Sequence, residues 1–496
     1  MHLTPTFMVL LEGFRPVFTA PSFATFQLLM TGWILSSRHR YVTDLIISSD
    51  SVENGHFSDY HRFFSHAKWD LDVLWKLLAR LLVNSLIGPE AVIIVAGDDT
   101  LCRKRGLGLF GAGMHHDPLI SSRKMKLVRW GHDWVTLSLI VAYPWWAPTK
   151  VFALPICMRL YRNRQGVTKG VSKAKGTSKK QQKLSKASKK RLQKVAKRQQ
   201  RKARQQKAHA QQQAKRGKKA GKSGDSQHAT RPELMREMLE LVASWFPDRQ
   251  ILFLADSLYT GESVLRYLPA NVDLIGAVHP KGALYEPAPQ DQSGRGGRRK
   301  KGKRLPTRQE WEADKTPWMP ITFNQFGLHG TFETKTCEGL YYKAGRDRLL
   351  KFVLTRDTDG QRPTQIFYST NRELDVQQIL STYAHRWAIE VTHHDAKQLL
   401  GFEDPANRLP LAVERTAPMA MFLYSVTILW YAQYGHEHVK FPHRPWYKQK
   451  REPSFADMLT TLRRLTWEDQ LSEVQPKSTL AKESLARLTY LATLAG

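Results

Sequence analysis

Along residues 1–88 the apolar positions recur at helical spacing, most clearly after Asp70, where Leu71, Leu74, Leu78, Leu81 and Leu82 repeat before Gly88-Pro89 ends the run. At Ala91 the texture changes. AVIIVAGDDT is a continuous apolar segment rich in β-branched residues, which predicts a buried strand with two carboxylates at its C-terminal end. Strands are expected over 134–143 and 151–158, split by Pro144 and Pro148. A helix over 232–246, a strand over 251–256 (ILFLAD), a helix over 261–268 and a strand over 272–278 follow. Three β-like runs at 331–336, 349–355 and 365–369 precede a long helix over 376–400, an apolar helix over 419–430 and a last helix capped by Ser454.

Strand, strand, strand, helix, strand, helix, strand, helix is the element order of an α/β ribonuclease-H-like core, a mixed sheet flanked by helices. The expected organisation has a helical N-terminal DNA-binding or assembly region (1–88), two core parts (89–161 and 231–282) and a basic low-complexity insertion between them (162–230). A basic loop with a β-rich insertion (283–375), the closing core helices (376–435) and a helical tail (436–496) complete it.

Charge changes this picture in two places. The formal net charge is +32, yet residues 162–222 hold 24 Lys and Arg and no acid, and residues 295–304 hold seven more with none. Without these runs the body carries only about +1. A polyanion is therefore the expected partner, met chiefly by the two insertions; the first has almost no apolar stripe and is expected to stay disordered or form a lone helix until it meets one. Three dispersed cysteines, Cys102, Cys157 and Cys337, predict buried small apolar groups in a reducing compartment. Glu12, Arg15 and Gln27 interrupt the apolar N-terminus, so neither a signal peptide nor a membrane span is expected.

Acids fall at the end of the first predicted strand, at the end of the fourth and on the closing helix. Two-metal phosphoryl transfer needs such hard oxygen ligands. On that helix, at about 100° per residue, Tyr383, Arg386, Glu390 and Lys397 fall within roughly 60° of one another. A face carrying base, acid and base is costly to bury unless metal and phosphate consume the charges. His115-His116 and His393-His394 lack the further ligands that a transition metal requires. Trp311 and Trp318 are expected to pack in the core or at its rim, and the Tyr60–Phe64 cluster reads equally as a DNA contact or a helix packed on the core.

The spacing Tyr-x2-Arg-x3-Glu-x6-Lys resembles the third-acid motif of bacterial insertion-sequence DDE transposases, particularly the cut-and-paste group with a β-rich insertion before that helix. GDDT (97–100) resembles their first-acid strand and FLADSLYTG (253–261) their second. The resemblance implies a metal-binding, catalytic triad of Asp99, Asp256 and Glu390 holding two Mg²⁺ ions, with Mn²⁺ as substitute, and Tyr383, Arg386 and Lys397 on DNA phosphates. Asp98 and Asp99 point to opposite faces of a strand; Asp99 is favoured because the family's acid directly precedes Thr. Implied partners are double-stranded DNA, both transposon ends and target, and a second subunit in a homodimeric DNA complex, without membrane. The location implied is cytoplasmic and nucleoid-associated. A ribonuclease-H-like nuclease or resolvase without strand transfer, a transposase-derived DNA-binding protein and a basic RNA-binding scaffold are the alternatives.

Overall fold

The computed structural model describes residues 2–106, 108–117, 120–122, 125–163, 228–289, 299–441, 450–472, 482–484 and 486–488. The basic insertion between 164 and 227 and the segment 442–449 lie outside the described residues. Met1–Asn163 and Ala229–Gly496 form one compact unit.

Its centre is a sheet in which β1 (Ile93–Arg103), β2 (Gly113–His116), β3 (Val128–Ala142), β4 (Val151–Tyr161), β5 (Ile251–Ala255) and β6 (Val272–Ala277) precede β7 (Met319–Gln325), β8 (Leu328–Leu340), β9 (Leu349–Asp357) and β10 (Gln365–Ser369). β1 pairs antiparallel with β3, and β3 with β4, while β5 lies parallel to β1 and β6 parallel to β5. The order β4-β3-β1-β5-β6 is a ribonuclease-H-like core sheet. β10 then adds antiparallel to β6, followed by β9, β8 and β7, so the β-rich segment extends the core sheet. β2 and β7 lie beyond the strands expected from sequence: one is four residues long, and the other is half-exposed.

The two carboxylates do not end β1. Its parallel partner β5 stops opposite Gly97, but β3 continues to pair, with Asp98 opposite Thr136 and Asp99 opposite Val135. That continued antiparallel ladder carries the strand on to Arg103, and the expected end at the acids is corrected accordingly.

Five helices, α1 (Pro5–Glu12), α2 (Ala20–Leu35), α3 (Val42–Ser48), α4 (Phe57–Ser65) and α5 (Leu71–Leu86), form the N-terminal region. The Asp70 carboxylate caps α5 by accepting from the Asp72 and Val73 amides. Tyr60, Phe63 and Phe64 are buried, so the aromatic half of that cluster belongs to the core. On one face of the sheet α6 (Arg231–Trp245) packs Met235, Met238 and Leu239 into a core shared with Val95, Leu137, Phe253 and the N-terminal helices. Short helices α7 (Glu262–Leu265), α8 (Arg308–Ala313) and α9 (Tyr342–Gly345) join later strands. The other face, through Ala96, Leu252, Leu254 and Ile275, is covered by α10 (Val376–Ala384) and α11 (Ala388–Leu399). After α12 (Pro410–Thr416), helix α13 (Pro418–Gln433) is apolar on every side and buried through Ala432; α14 (Phe455–Ser472) stacks Phe455 on its Tyr424.

The closing helix expected over 376–400 is present, tightened midway. A 3₁₀ turn at His385–Trp387 separates α10 from α11. It falls where the β7–β8 hairpin tip meets the helix: Gly327, at φ +70°, is placed so that a Cβ would lie 3.3 Å from the Ala384 carbonyl oxygen. Tyr143 lies 3.2 Å from the His385 ring through its hydroxyl.

Candidate active site

Alternation along β1 separates its two acids. Val95 faces the α6 side, Ala96 the α10–α11 side, and a Cβ at Gly97 would lie 2.5 Å from Met235 Cε of α6. Asp98 therefore shares Ala96's face, and Asp99 turns to α6.

On the first face Arg386 donates from Nη1 to Asp98 Oδ2 at 3.2 Å and approaches Glu390 Oε1 with Nη2 at 3.5 Å. The guanidinium thus bridges an acid on the central strand and an acid on the covering helix. It lies 5.8 Å from the Tyr383 ring centroid, with Tyr383 packed on Phe367 of β10. The 3₁₀ turn leaves Arg386 and Glu390 four residues apart and in contact. Lys397 sits further along α11, donating to the Leu101 carbonyl of β1 at 2.9 Å.

Asp256 follows β5 immediately, next to the point where β1 outruns it, and accepts from the Leu258 amide at 2.9 Å. Its charge acts on Asp98, Asp99, Arg386 and Glu390 alike. The second-strand acid is thus within electrostatic reach of both neighbours on β1.

On the opposite face Asp99 is already engaged. Tyr259 donates its hydroxyl to Asp99 Oδ1 at 2.6 Å, and Arg231 Nε lies 3.5 Å from Oδ2. Arg231 also donates to Asp133 Oδ2 at 2.7 Å, and the His115 ring stands 3.5 Å from the same oxygen. Asp133, Tyr259 and Arg231 escaped sequence reasoning. The available signal was Asp133 itself, a lone acid within the apolar run of β3.

Burial dominates the electrostatics. It raises the Asp98 carboxyl to about 7, with Arg386 opposing and Asp99 and Asp256 adding to the rise; it raises Asp99 to about 6, helped by Asp133. Glu390 is raised too, by burial against the pull of Arg386. His393 is buried and pushed down to about 3, and His115 to about 4, both by loss of water. Trp311 is buried, and Trp318 lies between the Lys335 ammonium (4.5 Å) and the Arg356 guanidinium (4.2 Å). Cys102 and Cys157 are buried and Cys337 is half-buried.

Among the described residues no three His, Cys, Asp or Glu side chains are gathered closely enough to hold a metal ion. Asp98, Asp256 and Glu390 are nevertheless all carboxylates, the ligand type a hard divalent cation prefers, and a cationic group, the Arg386 guanidinium, already lies between two of the three. Asp98 and Glu390 stay raised although the Arg386 guanidinium lies against both. No helix among the described residues is long and apolar enough to cross a membrane.

A family model described as DDE superfamily endonuclease matches residues 13–322, a stretch that includes Asp98, Asp99 and Asp256 and stops short of Glu390. Among solved structures the chain is similar to one titled "Cryo-EM structure of piggyBac transposase synaptic complex with hairpin DNA (SNHP)", at 10% identity and a TM-score of 0.38, covering 98% of this chain and 81% of that one. None of the curated proteins matches the sequence.

Proposed function

Because the chain belongs to the DDE superfamily of endonucleases, we propose that it is a DNA transposase that cuts at the ends of a mobile element and joins the freed ends to target DNA. The observation that carries this reading is the Arg386 bridge, which brings the acid of the central strand and the acid of the closing helix to one cation on one face of the sheet. Asp256, at the end of the neighbouring parallel strand, supplies the third carboxylate.

The proposed ligands are Asp98, Asp256 and Glu390, with Asp98 taking the place that the resemblance to insertion-sequence transposases gives to Asp99. Asp99 is committed to Tyr259 and Arg231 and acts by positioning: its anchoring to α6 fixes the strand rotation that presents Asp98 to α11. Divalent ions, Mg²⁺ by preference with Mn²⁺ as substitute, would be held by the three carboxylates; when bound they activate a water or a 3′-hydroxyl and neutralise charge on the scissile phosphate. Arg386 then turns from the acids to a phosphate oxygen, a charge-assisted contact suited to its planar fork. Tyr383 beneath it limits where that fork can point, and Lys397 offers an ammonium to the backbone further along the strand. No covalent bond between protein and DNA is required, so the site needs no activated side-chain nucleophile.

Two ends must be cut and joined together, which favours a homodimer on DNA, and such a substrate places the chain with the nucleoid. A nuclease that cuts without joining is the second reading, favoured by the family description alone. The test is incubation with duplex DNA carrying the flanking ends of the protein's own gene, a target plasmid and Mg²⁺, with cuts mapped to the nucleotide. Nicks at the end boundaries and end-to-target joints are expected; cuts without joints would support the nuclease, and neither would refute both.

A further inference from the structure

Beyond the carboxylates, the chain after β6 makes a tight turn, His279-Pro280-Lys281-Gly282, closed by the Gly282 amide donating to the His279 carbonyl at 2.7 Å. The turn leaves the Lys281 side chain exposed. A larger residue at position 282 would collide, since a Cβ there would lie 2.8 Å from Val278 and 2.9 Å from the His279 carbonyl oxygen. Facing the turn is the end of the second basic run. Residues 303–305 return antiparallel to 284–286: the Glu286 amide donates to Lys303 and the Leu305 amide to Leu284, both at 2.9 Å. Lys301 is held over the Tyr285 ring at 3.5 Å. These contacts fix the end of the run against the body, and Arg304 points from a defined place.

Between the two lies a groove of about 290 Å³ lined by Ser257, His279, Lys281, Arg304 and Arg308, among others. Among the described residues that line it, none is acidic. Glu310, whose carboxylate feels Arg304, is turned to the Thr307 amide at 2.7 Å. Ser257 is the residue after Asp256, and Pro363 and Gln365 line both this groove and the larger cavity bordered by Tyr383 and Arg386. The groove thus opens beside Asp256 and adjoins, through those two shared residues, the cavity that reaches the bridging arginine, where Asp357 and Arg362 also line the wall.

We propose that this groove binds the phosphodiester backbone of a DNA strand entering the site, with Lys281 and Arg304 each holding a phosphate. The inference rests on the reading of the site as DNA-cleaving and adds the path the strand takes. Binding of this kind is independent of sequence and depends on salt through release of condensed counterions.

The test compares the full-length parent, Lys281→Ala/Arg304→Ala and the charge-preserving Lys281→Arg/Arg304→Lys on a labelled duplex of arbitrary sequence over a range of salt, with chelator present. Two lost phosphate contacts should make the slope of log K against log salt shallower by about 1.8 in the alanine variant. The charge-preserving variant should keep the parent slope, and circular dichroism should match among all three. A parent slope in the alanine variant, or a loss shared equally by the charge-preserving variant, overturns the groove and leaves the cleavage reading standing. A parent that does not bind DNA at all overturns both.

Discussion

At Asp98, burial raises the carboxyl to about 7 although Arg386 pulls it down, so the folded chain holds this proton far more tightly than the unfolded chain, whose ordinary value is 3.8. A raised acid stabilises the fold fully below its unfolded value, and that contribution is lost as pH rises through the folded value. Without divalent cation, the contribution of Asp98 to stability should therefore fall as pH climbs from about 4 to about 7, joined by that of Asp99, raised to about 6, and opposed by the buried histidines His115, His132, His385 and His393, whose lowered values add stability as pH rises through the same range. Asp98→Asn, which stays neutral, should lack the Asp98 part, so that the difference in melting temperature, variant minus parent, grows with pH to several degrees at about pH 8. Thermal melts across pH, in chelator, measure this; parallel curves for parent and variant would mean that Asp98 is not the strained acid. The choice between Asp98 and Asp99 was not legible in sequence for a physical reason. β1 is buried on both faces, so its apolar run carries no alternation to say which neighbour faces which helix. The packing of Met235 against Gly97, the contacts of Arg231 and Tyr259 with Asp99 and that of Arg386 with Asp98 distinguish them.

Elements with a strong local signal were legible: β5, β6 and α6 lie within a residue or so of the expected spans, because a short apolar run between turns and a capped amphipathic run each admit one reading. β1 was legible in existence but not in length, since its continuation past the acids depends on a ladder with β3 that no local pattern encodes. The closing helix was legible apart from its 3₁₀ turn, which coincides with a contact from the β7–β8 tip far away in sequence. The same dependence on packing gives an element-scale prediction. Gly97 lies where β1 passes α6, with Met235 Cε 2.5 Å, Met235 Sδ 2.7 Å and Phe253 Cε2 2.8 Å from the position of a Cβ. Gly97→Ala must displace the end of the Met235 side chain and the edge of the Phe253 ring, and repacking them in a filled core should cost about 1–3 kcal/mol. Denaturant unfolding should show that loss, and cleavage should drop with it because Asp98 is the next residue. Full stability in Gly97→Ala would mean that Met235 and Phe253 do not close on Gly97 as described.

Across the whole molecule, one sheet joins what the sequence presents as separate blocks. The β-rich segment expected as an insertion adds to the edge of β6, and the N-terminal helices bury Phe7, Phe14, Phe26 and Trp33 in the same core as α13, with Trp33 donating to the Leu400 carbonyl just after α11. Local periodicity says what an element is and not which edge or face it docks on, so this assembly was out of reach of the sequence. It has a functional consequence: the face bearing Asp98 and Glu390 is braced by elements from both ends of the chain. The most direct test of the account is Mg²⁺-dependent nicking of duplex DNA carrying the flanking ends, compared among parent, Asp98→Asn, Asp99→Asn, Asp256→Asn and Glu390→Gln, with DNA binding followed by gel shift. The Asp98, Asp256 and Glu390 variants should bind DNA like the parent but cut at least about a hundredfold more slowly, while Asp99→Asn should keep a measurable part of the activity. Cutting at the parent rate by Glu390→Gln, or loss of cutting in Asp99→Asn alongside its retention in Asp98→Asn, would contradict the account.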